Sequence, residues 1–476
     1  MSLHKSDQRP ARSLLHGARR FSGSAIVALT LGATLTVLPV GPAAAAPGPT
    51  GCPAAGAWVG AWSAPASDNT QNPPVDPSYD LIGPVDNSTV RSMIVPTRAG
   101  QVLRVHLSNA FGQTPLVVGA ASVAKRTQAA NVDVPVPLTF GGSPSVTVPV
   151  GGEVVSDPAP MPFQAFEALA VSTFLPDTVT SPTRHWVARQ TSYQTAAGSG
   201  NQAFDTSGEM FTADKSGQSM TSRLFVTGMD VLAPDTGAIV ALGDSLTDGY
   251  QPGLDPTKPG GESAQGLDEN VRWPDYLARR VNDRGLPMTV VNAGISGNRV
   301  SFDPSVGGQR PADGPSALNR LGRDVLSVPN VRTVVFFEGI NDLGQAPGVN
   351  LEQITQNYTS IITTLHQRGI RVLQGTITPA GGNTGPGNYG TDATNDLRNQ
   401  INAWIRTDSP ADGVVDFDKA VADPASPKQI LPAYDSGDHL HFNAAGYQKL
   451  ADTVALDQLT NTCSSGSSGS SWGSAA

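Results

Sequence analysis

Four short segments in the second half of this 476-residue chain hold residues whose types and spacing could do chemistry together. They are GDSLTDG at 243–249, NAGISGN at 292–298, EGIND at 338–342 and DHLH at 438–441. The first offers a serine, a weak nucleophile that needs an adjacent base. The last offers that base in His441, with Asp438 three residues earlier to hold the imidazole tautomer and stabilise the imidazolium. A helical turn at 438–441 would put both side chains on one side. Attack on a carbonyl also needs donors aimed at the oxyanion, and three are available: the backbone N–H of Ser245, the backbone N–H of Gly297 and the side-chain amide of Asn341. Gly297 lacks a Cβ, so a substrate can approach its backbone closely. The chemistry this set implies is acyl transfer through a serine nucleophile.

Each residue also has a plainer reading. A lone Gly-Asp-Ser is a common turn, and Asn341 alone suits a helix start; the four segments in order, at strand ends, favour the chemical reading. Asp244 is expected to orient its turn, Asp342 to be structural, and Glu338 to be a buried, hydrogen-bonded neighbour. His439 adjoins Asp438 and would point away from it, which suits a rim position. His106 and His185 read as polar-face residues of strands, and His366 as solvent-exposed on a helix.

The elements that must position these groups come in two kinds. From Trp58 to about Asp230 the pattern has period two: Leu103, Val105 and Leu107 alternate with Arg104 and His106, and the sets Val146, Val148, Val150 and Leu169, Val171, Leu175 repeat it. Gly/Pro clusters separate these runs, so an antiparallel β-sandwich is expected over 52–232. After a short linker at 233–237, apolar runs of strand length at 238–243, 289–295, 333–339, 371–377 and 413–418 alternate with helical stretches. Ile354, Tyr358, Ile361, Ile362 and Leu365 mark one helix; Leu397, Ile401, Trp404 and Ile405 mark another; Asn443 is an N-cap for the last. Such β-α units make a parallel sheet covered on both faces. Ligands bind beyond the carboxyl ends of its strands, where Ser245, Gly297 and Asn341 all fall. The inserts at 250–269 and 379–393 follow the first and fourth strands and should border the pocket, with Tyr250 and Tyr389 as contact candidates.

The four segments resemble blocks I, II, III and V of the SGNH hydrolases, the GDSL esterase/lipase family. Ser245, Gly297, Asn341, Asp438 and His441 match the family's block residues one by one, and the resemblance covers roughly 238–460. It implies a flavodoxin-like three-layer α/β/α domain over 238–463, hydrolysis of carboxylic esters, and no metal. The β-rich half is similar in arrangement to the segment preceding this domain in some secreted bacterial members. No G-x-S-x-G elbow follows any of the strand-like runs, which disfavours the ordinary α/β-hydrolase reading.

Bulk properties agree. A formal net charge of −9 argues against a broad nucleic-acid-binding face. Residues 1–45 read as a secretory signal peptide: Lys5, Arg9, Arg12, Arg19 and Arg20 precede an apolar run at 25–40, too short for the ~20 residues of a membrane span, and cleavage is expected after Ala45. The paired Arg19–Arg20 leaves both Sec and twin-arginine export open. Cys52 and Cys463 are the only cysteines, and in an exported chain they are expected to form a disulfide. No Cys/His cluster has zinc spacing, so neither cofactor nor metal is expected. Residues 464–476 read as a flexible Ser/Gly tail. The expected protein is a secreted monomeric esterase without a stable membrane anchor, acting on short-chain acyl esters or acetylated carbohydrate. The alternatives are a lipase or lysophospholipase of the same mechanism, or a glycan-binding surface protein with a non-catalytic second half.

Overall fold

The computed structural model describes residues 58–68, 84–212, 222–252, 265–304, 313–346 and 348–460. The expected signal peptide, both cysteines and the Ser/Gly tail lie outside the described residues.

Period-two alternation in the first half becomes antiparallel sheet. Gly100–Ser108 buries Leu103, Val105 and Leu107 and leaves Arg104 and His106 half-buried, as its pattern predicts. One sheet runs in the order Trp58–Ser63, Val226–Leu232, Gly100–Ser108, Ala159–Phe163. A second is built around Ser88–Ile94, Leu169–Leu175 and Ala120–Gln128. Val59, Leu103, Val105 and Val231 of the first share one apolar core with Val90, Val123, Leu169 and Val171 of the second. Two local expectations differ. Leu169–Leu175 is buried at nearly every position because its second face is covered too, Ala170 packing with Met93, Ala124, Tyr193 and Phe211, so its alternation is hidden. Val150 lies past the Val146–Val148 strand in a turn, and is exposed.

The second half forms a five-stranded parallel sheet: β1 (Gly237–Gly243), β2 (Met288–Gly294), β3 (Val331–Phe337), β4 (Arg371–Gly375) and β5 (Gly413–Val415). Its order is β2-β1-β3-β4-β5, the flavodoxin-like arrangement with the switch point between β1 and β3. Eight α-helices follow among the described residues: α1 (Ser245–Asp248), α2 (Trp273–Asp283), α3 (Ala317–Leu321), α4 (Ile340–Gln345), α5 (Leu351–Gln367), α6 (Asp392–Thr407), α7 (Phe417–Val421) and α8 (Ala444–Thr453). α2 and α7 pack on α8, while α3 and α6 pack on α5. β1 is buried at all its positions, as a central strand covered on both faces must be. The expected residues of α5 (Ile354, Tyr358, Ile361, Ile362, Leu365) are all buried, and Asn443 caps α8 by accepting from the Gly446 N–H.

β2 is an edge strand of this sheet, and the first half covers it. Thr97 Oγ1 donates to Val290 O at 2.9 Å and Ser63 Oγ to Asn292 O at 2.7 Å, while Thr289 Oγ1 reaches Gly60 O at 2.6 Å. Unpaired edge carbonyls are thereby satisfied by side chains of the preceding half.

The carboxyl ends of the strands are tied together by one buried guanidinium. Arg320, in α3, donates to Gly243 O at 2.8 Å, Ala293 O at 2.7 Å and Asn298 Oδ1 at 2.7 Å. Two of these acceptors are on the last turns of β1 and β2. We expect Arg320→Leu to destabilise the fold by roughly 3–5 kcal/mol, because it strands several buried acceptors, and urea denaturation would measure the loss.

Candidate active site

α1 begins where β1 ends. Asp244 caps it, accepting from the Leu246 N–H at 2.9 Å, and so orients the turn that carries Ser245. β2 ends at Gly294 and leads into the turn of Ser296 and Gly297. Gly297 has φ +81°, and an added Cβ would lie 2.3 Å from the Asp313 carboxylate. The glycine is therefore demanded by its own backbone and by Asp313, a stricter cause than the substrate approach expected from sequence. β3 ends before Gly339, whose φ is +134° and whose Cβ would meet the Tyr358 hydroxyl at 2.3 Å. α4 starts there and carries Asn341.

The DHLH segment is not a helical turn. Asp438 Oδ1 accepts from the backbone N–H groups of Leu440 at 3.0 Å and His441 at 2.8 Å, folding the chain back on the aspartate. Its other oxygen meets His441 Nδ1 at 2.6 Å, and His441 Nε2 lies 3.0 Å from Ser245 Oγ. Serine, imidazole and carboxylate thus form one hydrogen-bonded line across 196 residues of sequence. Burial pulls the Asp438 carboxyl up, but the His441 charge and the hydrogen bonds from His441 and Leu440 outweigh it and hold it well below the usual carboxylate range. An ionised Asp438 only accepts, so the Nδ1 proton stays on the imidazole and Nε2 presents its lone pair to the serine.

Hydrogen bonds link the segments that carry the three expected donors. Asn341 Nδ2 donates to Asn298 O at 2.9 Å, one residue past Gly297, and its second N–H is left for a ligand. The N–H groups of Ser245 and Gly297 meet no backbone acceptor among the described residues. Asp248, at the end of α1, accepts from Ser296 N at 2.9 Å and Ser296 Oγ at 2.8 Å, which fastens the Gly297 turn to the serine helix.

Several neighbours depart from expectation. Tyr389 is buried and donates to Asn341 Oδ1 at 2.6 Å, while accepting from Gln345 Nε2. It fixes which end of the amide points outward rather than lying open to solvent. Tyr250 is also buried, edge-on to the His441 ring with centroids 4.7 Å apart. His185 is no polar-face residue: it is buried against Asp248, 2.9 Å from Oδ1. His366 is half-buried, paired with Asp412 at 2.9 Å. His106 sits on its strand's half-buried face beside Asp230, and His439 stays exposed, paired with Asp435. Glu338 is buried as expected but not hydrogen-bonded; it stands 3.6 Å from Arg320. Asp342 is structural, accepting from Val300 N at 2.8 Å and Ser301 N at 3.0 Å.

Fold and geometry together are those of a carboxylic ester hydrolase, with a serine on the first strand-to-helix turn of a parallel sheet. Residues 241–449 match the GDSL-like lipase/acylhydrolase family. Among solved structures, similar chains include the native aryl esterase of M. smegmatis, at 18% identity, covering 46% of this chain and 95% of that one with a TM-score of 0.36. A carbohydrate acetylesterase from Sinorhizobium meliloti is 17% identical over 45% of this chain and 95% of its own, with a TM-score of 0.34. A lipase/acylhydrolase from Enterococcus faecalis is 20% identical over 46% and 93%, with a TM-score of 0.33. No curated protein matches the chain.

Two predictions follow from this geometry. Tyr389→Phe frees the Asn341 amide to turn, and kcat for an activated ester should fall about tenfold with little change in KM, the worth of one hydrogen bond. Separately, burial pushes Asp244 up to about 7 and Asp342 up to about 6, each opposed by the hydrogen bonds it accepts. Acids raised in the folded state bind protons there before the unfolded chain does, so their share of stability is largest at low pH and fades as pH rises through 6–7. Asp438, held low, titrates below this window. The Tm should therefore drop between pH 5 and pH 8, and Asp244→Asn should reduce that slope by a few degrees in calorimetry.

Proposed function

We propose that this chain is a secreted serine esterase that cleaves short-chain acyl esters or acetylated carbohydrate. Ser245, His441 and Asp438 act as nucleophile, base and orienting carboxylate. The observation that carries the reading is the unbroken line from Asp438 Oδ2 through both imidazole nitrogens to Ser245 Oγ.

Ser245 Oγ attacks the ester carbonyl carbon while its proton passes to His441 Nε2. The imidazolium is stabilised by Asp438, and the oxyanion accepts from the N–H groups of Ser245 and Gly297 and from Asn341 Nδ2. Collapse breaks the bond to the alkoxy oxygen, which takes the proton from Nε2 and leaves as alcohol. Water then attacks the acyl-serine with the same base, releasing the carboxylic acid and restoring the serine.

A 380 Å³ cavity is lined by Gly381, Gly382, Gly390, Ser426, Pro427, Lys428 and Gln429. It lies beside the DHLH segment: a Cβ on Gly382 would lie 3.5 Å from the His439 ring, and the next residue, Asn383, donates from Nδ2 to Asp438 O at 2.8 Å. The leader-like residues 1–45 support export, with Cys52 and Cys463 available to pair afterwards. The shared core of the two antiparallel sheets supports a β-sandwich reading of the first half.

Ser245→Ala should abolish hydrolysis of p-nitrophenyl acetate without changing the far-ultraviolet circular dichroism spectrum; full turnover by that variant would end the proposal. Asn341→Ala should lower kcat by about 10²–10³-fold. Across p-nitrophenyl esters of rising chain length, set beside acetylated xylan, activity should be highest for acetate.

A further inference from the structure

The first half of the chain sends one short strand, Arg184–His185, up to the serine helix. His185 is nearly inaccessible, and so is its partner Asp248, at 4% and 1% side-chain exposure. His185 Nδ1 faces Pro65 O at 2.9 Å, and Nε2 faces Asp248 Oδ1 at 2.9 Å and Val187 O at 3.2 Å. All three are oxygens, and Nε2 is the nitrogen that faces Asp248. The imidazole cannot turn without losing one of them.

Asp248 stands between two parts of the site. It closes α1, three residues after Ser245, and its second oxygen holds both the N–H and the hydroxyl of Ser296. Ser296 immediately precedes Gly297. A movement of this carboxylate would shift the Gly297 N–H against the Ser245 hydroxyl, and small displacements at such a spot are costly to rate. His185 occupies the one carboxylate oxygen that Ser296 does not use.

We propose that His185 is a positioning residue for the acyl-transfer site: its N–H holds Asp248, which sets the Gly297 turn relative to Ser245. The proposal rests on the serine-esterase reading above. It means that the β-rich half is part of the catalytic assembly, since it supplies a hydrogen bond the hydrolase half lacks. The required element is the directed donor rather than positive charge, because Arg223 and Arg272 already place charge within the field of Asp248. Trp186 and Val187, next along the same segment, pack with Tyr250, whose ring lies on His441. One segment therefore braces both the oxyanion turn and the base.

The test compares full-length wild type, His185→Ala and His185→Gln on p-nitrophenyl acetate, together with the rate at which a fluorophosphonate labels the serine. His185→Ala, checked as folded by circular dichroism, should lose about 10–100-fold in kcat and in labelling rate while KM changes less than about twofold. His185→Gln keeps a side-chain N–H and should recover most of that loss, a rescue that bulk stability would not produce. A folded His185→Ala enzyme with wild-type kcat overturns the proposal. If that variant does not fold, Ser296→Ala removes the hydroxyl at the other end of the same carboxylate; kcat should fall several-fold, and an unchanged kcat overturns the proposal equally. Failure of the underlying esterase reading shows differently: wild type would not be labelled, or Ser245→Ala would retain turnover.

Discussion

A parallel sheet leaves its strand-end carbonyls pointing into the space where a ligand must bind, and this molecule settles that problem with one side chain. Arg320 enters from α3, entirely buried, and donates to the terminal carbonyls of β1 and β2 and to Asn298. Gly243 precedes the Asp244–Ser245 turn, and Asn298 follows Gly297. The guanidinium thus fixes the distance between nucleophile and oxyanion turn from beneath, and its planar fork of donors can span three acceptors at once. Every other feature of the site is built on that fixed floor.

What rests on the floor is held by acceptor-rich contacts of graded charge. Asp438 is kept ionised by His441 and by two backbone N–H groups. Glu338 is pushed well up by burial, with Asp244 and Asp342 adding to the shift and Arg320 opposing it. Asp244 is pushed up as well, less far. Three acids close to one another in a dry interior cannot all carry charge, whereas the acid on the imidazole can. The environment thereby favours the charged form of the acid that faces the imidazole and disfavours it at the other three.

How much of this was legible in the sequence depended on reach. Ser245, Gly297, Asn341, Asp438 and His441 stood out because each lies in a short motif at a strand end, and alternation with helices makes the sheet parallel, while its order was implied only by the family resemblance. α5 and the Asn443 cap were legible for the same local reason. Tyr389 was legible as a pocket-side residue but not in its role, because its partner Asn341 is 48 residues away. His185 and Arg320 were opaque: they meet Asp248 and Gly243 across 63 and 77 residues, and nothing in the local pattern of either records those partners. The DHLH geometry was misread from spacing alone. Three residues apart fits a helical turn, but an aspartate that accepts its own downstream N–H groups reaches the same juxtaposition without one.

The division of the chain into two halves looks different once the edge of the parallel sheet is considered. Five strands in this order leave β2 with one unpaired side, and an open edge invites pairing with another chain. Here Thr97 and Ser63 satisfy its carbonyls, Gly60 N–H bonds Pro329 O, and the Trp58–Ser63 strand lies against β2. Side-chain hydroxyls cap the edge without continuing the ladder, so the first half protects the sheet and does not extend it. The same covering brings Arg184–His185 to the serine helix, so one docking event both closes the sheet edge and completes the support of the site. A shortened chain that began after the β-rich half would expose β2 carbonyls and release Asp248 together, which is why the two halves are best understood as one functional unit.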